Sequence, residues 1–165
     1  MASGKVHTYE QAFLILSGVM LVVFLVALGW SAFGMGIHLP SRAGEIPPDE
    51  VMETPPFDEP GVHRVGPDEY EAVVVARAWG FVPAEIRVPV GKTITFKATS
   101  VDVIHGFNIE GTRVNLMLLP GQISELEYTF REPGEHLLIC HEYCGVGHHA
   151  MVGRVIAEEV DEGAP

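Results

Sequence analysis

Residues 140–151 read CHEYCGVGHHAM. Cys140 and Cys144 are the only cysteines of the chain, and His148 and Met151 follow shortly after. Upstream lies EHLLIC (135–140) and downstream VGRVIAE (152–158), both rich in branched aliphatic residues. The stretch therefore reads as a loop between two strands, loaded with two thiols, an imidazole and a thioether. Such donors suit copper, and thiolate with thioether favours the cuprous state.

The segments before it continue the pattern. EAVVVARAW (71–79), EIRVPV (85–90), KTITFKATS (92–100) and ISELEYTF (123–130) are short, β-branched and partly alternating. Gly-Phe-Val-Pro, Pro-Val-Gly, Leu-Pro-Gly and Glu-Pro-Gly separate them. Short strands with turn signals at this spacing predict a β-sandwich or small barrel. No helical period of useful length follows residue 37. Roughly 95 residues from Tyr70 onward can bury one modest core.

One further imidazole is within reach of the cysteine loop. Asp-Val-Ile-His-Gly-Phe places His105 in a loop after the 92–100 strand. Three readings of these donors compete. A Cys140–Cys144 disulfide fits an even cysteine count outside the cytoplasm. It closes a very small loop, however, which removes little unfolded-state entropy, and it leaves His105, His148 and Met151 without a role. Zinc takes a closed set of two Cys and two His, and Met151 is then superfluous. Copper uses Met as a long, weak axial ligand. A single blue-copper site, as in a membrane-tethered electron carrier, needs only one Cys. Two thiolates can instead bridge two copper ions, each with one terminal His. Cys140 and Cys144 are then the bridges, His105 and His148 the terminal ligands, and Met151 the weak ligand of one copper. The backbone carbonyl of Glu142 is the candidate weak ligand of the other.

The rest of the chain divides sharply by charge. Residues 1–37 hold one Lys and one Glu, and the formal charge of −12 lies beyond them. Such a charge repels phosphate, so nucleic acid is excluded as a partner. Residues 12–33, AFLILSGVMLVVFLVALGWSAF, carry no charge. As a helix they run ~33 Å, enough to cross a bilayer core. Tyr9 and Trp30 flank the run where aromatic rings favour the interface. The run exceeds the ~7–15 apolar residues of a signal peptide, so a retained anchor is expected over residues 1–37. The short N-terminus places that end in the cytoplasm and the acidic body on the outer, periplasmic face of the cell membrane. Residues 38–67 hold seven of the twelve prolines and read as an acidic, extended spacer. The β domain is then expected over 68–165.

Cys-x-Glu-x-Cys-Gly-x-Gly-His-x-x-Met, with a distant His in His-Gly-Phe, resembles the CuA signature of cytochrome c oxidase subunit II. The single apolar helix, Ala-Arg-Ala-Trp-Gly-Phe-Val-Pro and Asp-Val-Ile-His-Gly-Phe-Asn-Ile-Glu-Gly-Thr resemble the short form in ba3-type (B-family) haem-copper oxidases. The resemblance implies an all-β, cupredoxin-like Greek-key sandwich or barrel behind one transmembrane helix. It implies a binuclear CuA centre that accepts electrons from a soluble cytochrome c and passes them to the haem of subunit I, where oxygen is reduced. The implied ligands are His105, Cys140, Glu142 through its carbonyl, Cys144, His148 and Met151. His105 would share its copper with Met151, and His148 with the Glu142 carbonyl. The short form often has Gln where this chain has Glu142; in the longer form that Glu also contacts magnesium through its carboxylate. A CuA module of a nitrogen-oxide reductase would carry the same site. Trp79 by residue type is a core tryptophan of a sandwich; the resemblance makes it an electron-uptake residue at the docking face. The acidic body suits attraction of a basic cytochrome, which raises the on-rate. His7, His38, His63, His136, His141 and His149 have no comparable partner set.

Overall fold

A computed structural model describes residues 2–34 and 41–159. The chain separates into two compact units, residues 1–39 and 40–165. The first is helix α1 (Ala2–Gly29), continued by a π-helical turn over Trp30–Gly34. The Leu, Val, Phe and Ala run contains no proline, so every internal backbone group can pair within the helix. Its apolar side chains are exposed within the unit, and His7–Gly34 is long and apolar enough to cross a membrane.

Among its described residues the second unit holds eleven strands. These are β1 (Ser41–Glu45), β2 (Gly61–Arg64), β3 (Glu69–Arg77), β4 (Gly80–Val82), β5 (Glu85–Pro89) and β6 (Thr93–Ser100). They continue with β7 (His105–Ile109), β8 (Asn115–Leu118), β9 (Gln122–Tyr128), β10 (Gly134–Ile139) and β11 (Val152–Glu158). One sheet runs β1-β9-β6-β3-β2, with β4 also on β3; the other runs β5-β11-β10-β7-β8. Most neighbours are antiparallel, but β3 lies parallel to β6 and β11 parallel to β5. Non-sequential neighbours on both sheets give the crossed-over connectivity of a Greek-key sandwich.

The main core lies between the sheets. Alternate residues Ala72, Val74 and Ala76 of β3 point into it with Ile94, Phe96 and Ala98 of β6, and Phe107, Leu116 and Leu138 come from the opposite sheet. Phe107 meets Phe81 edge-on at 5.8 Å and lies tilted against Phe96 at 5.9 Å. Edge-to-face rings favour this arrangement beyond their buried area, by about 0.5–1.5 kcal/mol per pair. The lower tier adds Phe130 against Phe96 and Tyr128.

β3 departs from half-buried alternation. All five residues from Ala72 to Ala76 are fully buried. The outward-facing Val73 and Val75 are covered by Ile46, Val51 and Phe57. This corrects the spacer expected over 38–67. Residues 38–40 lie outside the described residues, but from Ser41 the segment belongs to the domain. β1 pairs antiparallel with β9, Ser41 opposite Glu125 and Glu45 opposite Gln122. Val51 and Phe57 are completely buried. The prolines bend the chain through turns, and the apolar residues between them form a third layer over the sheet.

The site end of the sandwich also differs locally from expectation. His105 is the first residue of β7 rather than a loop residue. Strands β2, β4, β7 and β8, three to five residues long, lie outside the segments expected as strands.

Candidate metal centre

The hairpin β10–β11 carries the cysteine stretch. Ile139 faces Val152 across the ladder, and the Cys140 N–H donates to the Met151 carbonyl at 3.3 Å. The loop is therefore pinned at its neck, with Cys140 and Met151 side by side. Inside it, His148–Ala150 forms a single 3-10 turn. That turn leaves His148 half-buried and His149 exposed, which separates the two imidazoles.

Five donor side chains meet here. Cys140 Sγ lies 3.8 Å from Cys144 Sγ. His105 Nδ1 is 3.9 Å from Cys140 Sγ, and His148 Nδ1 is 3.6 Å from Cys144 Sγ. Met151 Sδ is 3.6 Å from Cys144 Sγ, and the Glu142 carbonyl oxygen is 3.3 Å from Cys140 Sγ. His105, Cys140 and Cys144 have donor atoms all within 4.8 Å of one another, and all three residues are buried. The structure thus brings together every residue singled out as a ligand. The Glu142 carboxylate points elsewhere, with Oε1 3.7 Å from His141 Nδ1.

The cysteines are free thiols. A sulfur separation of 3.8 Å is nearly twice a disulfide bond of about 2.05 Å. It is shorter than twice a metal–thiolate bond of about 2.3 Å, so one ion can touch both sulfurs. Each nitrogen-to-sulfur distance likewise fits inside one metal–nitrogen plus one metal–sulfur bond, about 4.3 Å. The donor set is soft and nearly dry, which suits copper over magnesium or calcium. Burial, and then the neighbouring Cys140, push the Cys144 thiol up to about 11. Without a cation the Cys144 proton stays; a bound cation displaces it.

Two supports fix the donors from outside. The Gly106 N–H points at Cys140 Sγ from 3.4 Å. A Cβ on Gly106 would lie 2.6 Å from the His141 backbone nitrogen, so only glycine lets β7 approach the loop this closely. On the far side of His105, Nε2 is 2.8 Å from Asp102 Oδ1. Asp102 also accepts the Val103 N–H at 2.7 Å, and its Oδ2 accepts the Ala78 N–H at 2.6 Å. Burial pushes the Asp102 carboxyl up, but the Ala78 N–H, His105 and the Val103 N–H together hold it below the ordinary value.

Trp79 is not a core residue: it is 49% exposed. Its Nε1–H donates to the Cys144 carbonyl at 3.2 Å, and its ring covers Gly147, where a Cβ would lie 2.5 Å away. Around it, the loops that carry the donors expose Val103, Ile104, Tyr143 and Val146, the last at 83%. Two other histidines serve structure: His136 packs on Phe130 at 5.2 Å, and His141 bonds Asn115 at 2.6 Å. Asp102 and Gly106 were missed as supports by sequence reading, although both flank His105 within three residues.

A Greek-key sandwich with thiols, imidazoles and a thioether converging on the loops at one end defines a cupredoxin-like metal-binding domain. The family described as cytochrome c oxidase subunit II, periplasmic domain, matches residues 79–159. Cytochrome c oxidase subunit 2 of Thermus thermophilus is 41% identical over 162 residues, covering 96% of each chain. The alternative cytochrome c oxidase subunit 2 of Bradyrhizobium diazoefficiens is 27% identical over 121 residues, 73% of this chain and 42% of that one. A solved haem-copper terminal oxidase dimer contains a chain that is 34% identical, with a TM-score of 0.77 over 90% of this chain and 99% of that one. The periplasmic domain of subunit II from Bradyrhizobium japonicum shares the fold, at a TM-score of 0.52 and 22% identity, over 56% of this chain and 86% of that one. This chain belongs to the cytochrome c oxidase subunit II family. It is accordingly a membrane-anchored subunit of an oxidoreductase complex.

Proposed function

We propose that this chain is the electron-uptake subunit of a respiratory terminal oxidase. It accepts electrons from a soluble cytochrome c and delivers them to the haem of subunit I, leaving oxygen chemistry to that subunit. The carrying observation is the pair of free thiols 3.8 Å apart, each with its own imidazole at 3.9 or 3.6 Å. One nitrogen beside each sulfur suits two ions sharing two thiolates better than one ion with a spare cysteine. The ligands are His105, Cys140, the Glu142 carbonyl, Cys144, His148 and Met151. A pair of copper ions held there supplies a one-electron centre with the charge spread over both metals.

The protein's own part is to fix the donors in advance. The β10–β11 neck sets Cys140 against Met151, β7 sets His105, and burial excludes water. Electron transfer is fast when little rearranges, and a tight loop on a paired hairpin meets that need. A metal pair held there would take up all six donors, which would leave no substrate position open on this chain. Donor docking is assigned to the face around Trp79. Its exposed Val103, Ile104, Tyr143 and Val146 are apolar, which favours a contact with modest salt dependence over long-range steering by the acidic body. The apolar helix anchors the chain with its N-terminus in the cytoplasm and the metal end on the outer face.

The test is the low-temperature EPR spectrum of the copper-loaded full chain. Two equivalent copper nuclei sharing one electron give seven hyperfine lines; one localised copper gives four. Four lines would replace this reading with a single-copper carrier.

A further inference from the structure

His141 stands between Cys140 and Glu142 in the chain, yet its ring turns to the outer face of the sheet. β7 pairs with β8, Gly106 opposite Met117 and Asn108 opposite Asn115. Phe107, Leu116 and Leu118 at the intervening positions are buried in the core, so Gly106, Met117 and Asn115 share the outer face. Gly106 has no Cβ, and the His141 ring fills that place, with Nδ1 2.5 Å from where the Cβ would stand. Met117 is exposed and is the cross-strand neighbour of that position. Such pairs keep their Cβ atoms about 4.5–5.5 Å apart, a span a thioether side chain covers. His141 Nε2 lies 2.6 Å from Asn115 Oδ1. An amide oxygen only accepts, so Nε2 carries the proton and Nδ1 keeps its lone pair. That lone pair faces Glu142 Oε1 at 3.7 Å. Two acceptors set against each other are stabilised by a cation between them. Their separation fits inside one metal–nitrogen plus one metal–oxygen bond, about 4.1 Å.

We propose that His141 Nδ1, the Met117 thioether and the Glu142 carboxylate form a second metal site, an outer dock that holds a cuprous ion before it enters the buried centre. The dock goes beyond electron uptake and rests on that reading only for the copper it delivers. Imidazole with thioether selects copper, and the thioether favours the cuprous state; magnesium and calcium prefer oxygen alone. The dock has no thiolate, so it holds the ion more weakly than two buried cysteines do, and the metal moves inward. Glu142 touches both places: its carboxylate faces His141, while its carbonyl oxygen is 3.3 Å from Cys140 Sγ. The arrangement also meets a need of the fold. Cys140 and Cys144 are buried, so every incoming ion must first be caught at the rim. The ion keeps its oxidation state throughout, and a thiol proton displaced by its entry passes to solvent.

The experiment adds cuprous ion without air to the metal-free full chain and to Met117→Leu, His141→Gln and His149→Gln. Bound copper per chain, the share withdrawn at once by a cuprous chelator, and the rate of filling of the buried pair are read for each. Filling is followed by oxidising samples with ferricyanide and measuring the two-copper EPR signal. The parent is expected to bind one ion beyond the buried pair, and that ion is the one the chelator withdraws. Met117→Leu conserves volume on an exposed position, so its fold is kept. It is expected to lose the extra ion and to fill the buried pair about tenfold more slowly, because capture beside the centre raises the local metal concentration. Its final EPR spectrum is expected to match the parent. His141→Gln is expected to lose the extra ion as well. His149→Gln, exposed and outside the cluster, is expected to behave as the parent. A parent that binds only the buried pair, or a Met117→Leu chain that fills at the parental rate, overturns the inference while the two-copper spectrum leaves the electron-uptake reading intact. A parent without the two-copper spectrum overturns that reading instead, and the withdrawable ion still decides the dock. Should His141→Gln fail to fold, Met117→Leu alone decides.

Discussion

Gly106→Ala adds one methyl group where strand β7 crosses the ligand loop. The new carbon would lie 2.6 Å from the His141 backbone nitrogen and 2.5 Å from its Nδ1. Ordinary contact begins near 3.4 Å, so one backbone must retreat by about 0.8 Å. Neither is free to do so. Gly106 pairs with Met117 on β8, and β10, which leads into the loop, pairs with β7 through Ile139 and Asn108. Overpacking a tight site costs about 1–3 kcal/mol, and two fixed backbones put this case near the upper end. His141 lies between Cys140 and Glu142, so the displacement passes directly to two donors. Chemical denaturation of the metal-free chain should show a loss of about 2–3 kcal/mol in the β domain. The copper-loaded form should lose more, because weakened binding subtracts from the stabilisation that bound metal confers. Gly80→Ala is the control, since nothing lies within 4 Å of its added carbon. A Gly106→Ala change under about 0.5 kcal/mol, with an unaltered copper spectrum, would refute the argument that the strand sets the loop.

Four further outcomes are expected. Phe57→Ala should cost about 3–5 kcal/mol in the same denaturation assay, because Phe57 is fully buried; a spacer residue would cost nothing. Trp79→Phe keeps a ring over Gly147 but removes the donor to the Cys144 carbonyl. Stopped-flow mixing with a reduced cytochrome should show slower uptake with the copper spectrum preserved, and an unchanged rate would return Trp79 to a packing role. Cys144 titrates at about 11 in the fold against an ordinary 9.0, so the unfolded thiol ionises first as pH rises. Metal-free stability should therefore be intact below pH 9 and fall from there toward 11. Copper binding below pH 11 must expel that proton, so loading an unbuffered sample should acidify it, and no acidification would contradict a thiolate ligand.

Much of the site was legible because it is local. Five of its six donors lie in one stretch of twelve residues, and soft donors at that density leave few alternatives to copper. His105 was found by the need for one more imidazole, although its strand was not. The supports were illegible for a physical reason: Asp102 and Gly106 act through approaches set by the tertiary fold, and an aspartate before a histidine looks like any turn. Trp79 could not be placed by composition, since a sandwich also buries tryptophans. The third layer was missed because Pro and acidic residues dominate 41–60, hiding the three apolar anchors Ile46, Val51 and Phe57. Conversely, the unbroken run Val73-Val74-Val75 was the available sign that β3 is covered on both faces.

The third layer also sets an order of events during synthesis. β1 leaves the ribosome before any other strand, yet Ser41 can pair only when Glu125 has arrived and β9 is in place. Loop closure over such a separation comes late, after the shorter-range pairings have formed. In that interval the outer edge of β9 is open to strands of other chains. Its sequence, QISELEY, sets Glu125 on that unfinished edge, opposite Ser41. Like charges meeting across two such edges repel, so a nascent copy is discouraged from borrowing its neighbour's β9 in place of its own β1.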